Sequence, residues 1–160
     1  MRLDIVSPSS HTITPVSAIP DSFYAEWRVR CGAVPVLRDN QDSPPERLLQ
    51  AIWQHQRLLR EELRTSEGVP VKVLHPGFLS REGGPDFRAA VVQVGEGAVQ
   101  SGDVEVDLRA SGWRAHGHDR NPTFRNVVLH VIWETEEAAA GAPPLLPLRN
   151  SLDAPLGELS

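Results

Sequence analysis

At 160 residues, 40% of them apolar, the chain is long enough to bury one core of ordinary size and too short for a second domain like it. Its single cysteine, Cys31, excludes an intramolecular disulfide and a thiolate zinc cluster, so any metal must sit on oxygen or imidazole. The net charge of −5 removes the simplest argument for nucleic-acid affinity and leaves a local basic patch as the remaining route.

Residues 1–42 read as an N-terminal arm: residues 1–22 are rich in Ser, Thr, Pro and His without periodicity, and a short helix is expected from Ser22, with Phe23, Trp27 and Arg30 on nearby faces. A core domain is expected over residues 43–137. It opens on Ser43-Pro44-Pro45-Glu46, a capping box with proline at the helix start. Leu48, Leu49, Ile52, Trp53, Leu59 and Leu63 then recur at three- and four-residue spacing, which predicts one long helix closed by Gly68.

After Gly68 the period changes to two. Val69 to Leu74, Asp86 to Val94 and Gly102 to Arg109 read as three consecutive strands, the last two joined by a hairpin at Gly95-Glu96-Gly97. Trp113 to Pro122 is a polar, His-rich connection. Asn126 to Glu134 carries apolar residues on both faces, the pattern of a strand central in its sheet. Residues 138–160 read as an Ala/Pro-rich segment and a tail, with the chain as the front part of a longer protein. The fold class expected is α/β, or α+β, with a mixed sheet of about four strands flanked by helices. Without a membrane-length apolar stretch or a leader, the protein is expected in the cytoplasm, not in a membrane.

The chemistry concentrates on the third strand. Alternation sends Val104, Val106 and Leu108 one way and Asp103, Glu105 and Asp107 the other. Three like charges in a row mark either a solvated face or a site for a hard cation. Asp86, in Gly84-Pro85-Asp86-Phe87, stands at the mouth of the neighbouring strand, where it either closes a turn or converges with Glu105 on one ion. His116-Gly117-His118-Asp119 has metal-compatible spacing, but lacks the further His at Asn121 that the HxHxDH pattern of metallo-β-lactamase-like hydrolases requires. Its plain alternative is a turn. His130, in a central strand, needs a hydrogen-bond partner, and a site carboxylate is a candidate.

The order helix, three strands, connection, strand, with Pro85-Asp86 and Glu105-x-Asp107, resembles the PD-(D/E)xK nuclease core, a restriction-endonuclease-like αβββ(α)β arrangement. That resemblance implies metal-assisted phosphodiester hydrolysis, Mg2+ or Mn2+ as cofactor, and nucleic acid as partner. Asp86 and Glu105 match its two acids. Asp107 stands where that core has lysine; Lys72, the only lysine, is the available replacement. Glu46 matches the acid of the initial helix, although the capping box explains it equally.

Over about residues 46–134 the motifs Glu46 to Trp53, Gly84-Pro85-Asp86-Phe87, Gly102-Asp103-Val104-Glu105, Trp113, His116-Gly117-His118-Asp119 and Asn126 to Val131 resemble a bacterial family, domain of unknown function 2851, whose members often carry His at the position of Asp107. The readings that follow are a metal-dependent phosphodiesterase or nuclease-like enzyme, a hydrolase using the His-rich loop, and a non-catalytic binding or interaction domain that keeps the fold.

Overall fold

The computed structural model describes residues 43–160. The N-terminal arm, with the helix expected from Ser22, lies outside the described residues. A single mixed sheet organises the rest, consistent with the α+β expectation, with six strands where about four were expected.

Helix α1 spans Glu46–His55 and buries Leu49, Ile52 and Trp53. Pro45 is its N-cap and no side chain caps it, so Ser43 does not close the expected capping box. The helix is also shorter than the apolar spacing implied. Gln56 turns left-handed at φ +51°, its N–H bonds the carbonyl of Trp53, and the N–H of Arg57 bonds that of Ile52. These two bonds form a Schellman stop, here without the usual glycine. The Gln56 side chain helps hold the stop by donating from Nε2 to the Trp53 carbonyl at 2.6 Å. Leu59 is consequently exposed, and Leu63 reaches the core from beyond a short 3-10 turn at Arg60–Glu62.

The strands are β1 Val71–His75, β2 Phe78–Leu79, β3 Phe87–Val94, β4 Gln100–Val106, β5 Val127–Ile132 and β6 Leu145–Pro147. The sheet runs β1-β3-β4-β5-β6, with β2 also paired to β3. Strands β3 and β4 are the expected antiparallel hairpin, with Gly95 at φ +60° in its turn. Strand β5 joins β4 in parallel, and β6 joins β5 in parallel. Parallel neighbours need a crossover. Helix α2, Gly112–Ala115, and a 3-10 turn at Pro122–Phe124 lie in the β4–β5 connection. Leu145 to Pro147, expected within the Ala/Pro-rich tail, is a strand of the sheet instead, and Leu145, Leu146 and Leu148 are buried. The chain closes on helix α3, Leu156–Leu159.

The core joins Leu49, Ile52 and Trp53 of α1 to Val104 and Val106 of β4, Leu129 and Val131 of β5, and Leu146 and Leu148. Val104 and Val106, from one of the two alternating sets expected on β4, therefore share the core with α1. Among the described residues no helix is long and apolar enough to cross a membrane.

Candidate metal centre

Strand alternation turns Glu105 away from Val104 and Val106, yet it is not on a solvated face. Asp103, Glu105 and Asp107 are 5%, 6% and 4% exposed. Burial at this level rules out the reading of a water-washed acidic stripe.

The hairpin brings Asp86 and Glu105 together in a reciprocal clasp. The N–H of Asp86 donates to Glu105 Oε2 at 3.1 Å, and Asp86 Oδ2 accepts from the N–H of Val106 at 3.1 Å. Each acid thus holds the backbone beside the other. Burial, reinforced by the charges of Asp86, Asp107 and Glu46, pushes the Glu105 carboxyl up to about 8. Burial likewise raises Asp86 to about 6, against hydrogen bonds from the Val106 N–H and the Gln50 side chain. The Glu46 carboxyl is also raised, first by burial and then by Asp107. Each of these shifts favours the neutral acid, so a cation placed among the groups would be stabilised by what now repels.

Asp103 leaves this group. A register shift separates it from Val104, and its carboxylate accepts from the N–H of Ala89 at 3.2 Å and faces Arg88 at 3.5 Å. It thereby supports an irregularity of β3 in which Ala89 takes φ +55°.

Asp107 follows β4 directly and is held from two sides. His130, fully buried, lies opposite Glu105 in the β4–β5 register and places Nε2 2.9 Å from Asp107 Oδ2. An ionised carboxylate only accepts, so with Asp107 charged the proton of this bond sits on Nε2. On the other side, a Cβ on Gly112 would fall 2.7 Å from Asp107 Cγ and Oδ1, so only glycine lets α2 start this close.

Helix α2 and the turn after it deliver the imidazoles. His116 Nδ1 is 3.4 Å from Asp107 Oδ1, and His118 Nδ1 is 3.5 Å from Glu105 Oε1. Ligand atoms of Asp107, His116 and His118 all lie within 4.8 Å of one another. His118 stacks on Phe124 at 3.9 Å with 10° between planes and meets Trp113 edge-on at 5.5 Å. Trp113 is buried, and its ring is 5.4 Å from that of His130.

The expected residues therefore divide. Asp86, Glu105, Asp107, His116, His118 and His130 come together, and Glu46 is close enough to act on Glu105. Asp119 is exposed beside Arg120, 3.7 Å from its Nε. Lys72 does not join them: it is exposed on β1 opposite Gln93, seven residues along the chain from Asp86 and so roughly 20 Å away at the rise of a strand. Two contributors went unread in the sequence. Gln50 stands one turn after Glu46, and that i,i+4 spacing on the polar face of α1 was the available signal. Gly112 left none, because its role depends on where Asp107 ends up.

A family model described as "Protein of unknown function (DUF2851)" matches residues 46–156 of the chain. No curated protein and no solved structure matches it.

Proposed function

The chain belongs to this family of unknown function, and from that premise we propose an activity read from the site alone: a divalent-cation-dependent hydrolase of phosphodiester bonds in nucleic acid. The observation that carries it is the clasp of half-buried Asp86 with buried Glu105 beside buried Asp107, where three acidic groups are packed largely out of water. Such a group is costly for a purely structural purpose, since hydrophobic residues of similar volume would often serve stability better.

A bound cation would polarise the substrate and lower the pKa of a coordinated water. The chain's own residues have the remaining tasks. Glu105 Oε2 is engaged by the Asp86 N–H, which leaves Oε1, ionised once a cation offsets the burial that raises this carboxyl, to take the proton of an attacking water. His130 holds Asp107 in orientation, and Trp113 with Phe124 keeps His118 from swinging into solvent.

The substrate class is supported by charge. Arg109, Arg114, Arg120 and Arg125 are all exposed on the segment that carries His116 and His118, where Asp119 is the only acid. In a chain of net charge −5 this is a local basic stretch beside the acids, suited to steer a phosphate backbone toward them.

Cleavage of single- and double-stranded DNA and RNA, with Mg2+, Mn2+, Zn2+ or chelator, tests this directly. The expected result is cation-dependent cleavage lost in both Asp86→Asn and Glu105→Gln. Cleavage that persists in chelator, or in both variants, would overturn it. The remote position of Lys72 favours a second reading, a binding domain without turnover; cation-independent binding of nucleic acid with no cleavage under any condition would select it.

A further inference from the structure

We infer that Asp107, His116 and His118 form the seat of one ion of the Zn2+ or Co2+ class, in preference to Mg2+ or Ca2+. This deepens the proposed cation dependence and rests on it for its role in catalysis, though not for its geometry.

The donor set comes first. One carboxylate and two imidazoles offer ligand atoms within 4.8 Å of one another. Mg2+ and Ca2+ take oxygen ligands, whereas imidazole suits the borderline transition ions. Three protein ligands with a further position left to water or substrate is the pattern of a catalytic rather than a structural zinc site.

The second observation concerns the satisfaction of His118. His118 Nδ1 is buried, with its side chain only 10% exposed, and has no hydrogen-bond partner among the described residues. Buried polar nitrogens are ordinarily satisfied, so one left without a hydrogen bond 3.5 Å from Glu105 Oε1 asks for a ligand. The ring cannot turn to find another partner, because Phe124 lies flat against it and Trp113 meets its edge.

Preorganisation comes third. Asp107 is fixed by His130 through Oδ2, which leaves Oδ1 toward His116. A hydrogen-bonded partner behind a ligating carboxylate is what holds a metal ligand in place. His116, 57% exposed, stands on the solvent side and gives an entering ion a path.

The test uses the whole chain, stripped with chelator and titrated calorimetrically with ZnCl2, CoCl2 or MgCl2, while the visible absorption of Co2+ is followed. Wild type should bind one Zn2+ or Co2+ more tightly than Mg2+ by on the order of 100-fold. The Co2+ bands should be intense, as for low coordination with nitrogen ligands. His116→Ala, an exposed substitution that leaves the fold intact by circular dichroism, should weaken Zn2+ binding by roughly tenfold or more and change the Co2+ spectrum.

Tighter binding of Mg2+, insensitive to His116→Ala and lost in Glu105→Gln, would overturn the seat and leave the hydrolase reading standing. Zn2+ binding as described without cleavage of any nucleic acid would do the reverse. Binding of none of the three ions would overturn both.

Discussion

Glu105 rises from an ordinary 4.5 to about 8, and Asp86 from 3.8 to about 6, so both acids hold their protons more tightly folded than unfolded. The native state therefore binds more protons across these windows, and stability falls as pH rises through them. In chelator, the melting temperature should decline from about pH 4 to about pH 8 and level off above. Glu105→Gln, a neutral near-isostere that still accepts from the Asp86 N–H, should flatten the upper half of that decline while Asp86 still titrates through the lower half. Scanning calorimetry at pH 5, 7 and 9 checks this; a wild type most stable at pH 9 without metal would contradict the assignment. Asp86 and Glu105 were legible as a pair because a hairpin must bring such positions together. The partnership of His130 with Asp107 was visible only as an alternative, since it depends on the parallel register of β4 and β5.

At the scale of elements, α2 must start against a carboxylate. A methyl group on Gly112 would meet Asp107 Cγ and Oδ1 at 2.7 Å. Alanine would add about 1 kcal/mol of helix propensity, but relieving the clash costs about 1–3 kcal/mol. The clash should win, because His130 prevents Asp107 from retreating. Gly112→Ala is thus expected to lower the urea midpoint and to weaken Zn2+ binding together; a variant as stable as wild type with unchanged Zn2+ affinity would show that Asp107 can yield. Alternation made β1, β3, β4 and β5 legible, since half-buried and buried strands write their period into the residues. The end of α1 was not: Gln56 occupies a left-handed position usually marked by glycine, and Leu59 and Leu63 kept the helical spacing beyond it.

For the whole molecule, the sheet extends past the point where composition suggested a tail. Pro143 and Pro144 disguise a strand whose Leu145 and Leu146, with Leu148 just beyond it, are nearly or fully buried. Leu146→Ala should cost about 2–5 kcal/mol by removing fully buried methyl groups from the core. A typical domain is stable by only about 5–15 kcal/mol, so a chain ending at residue 137, which loses all three leucines and the β6 ladder, is expected to show no cooperative urea transition. Retention of a sharp transition would mean that β5 suffices without its neighbour. The same placement explains why a composition-based boundary fails here, since three apolar residues are too few to show a period.

The Asp86–Glu105 clasp closes the end of the β3–β4 hairpin farthest from its turn at Gly95-Glu96-Gly97. A hairpin that zips from its turn reaches that end last, so the repulsion between the two acids is expected on the native side of the folding barrier. Its cost then falls on how long the native state survives and not on how quickly it forms. In chelator at pH 9, Glu105→Gln should slow unfolding while leaving the refolding limb of the chevron in place. An ion bound there would act in the same way, as a latch on the finished fold.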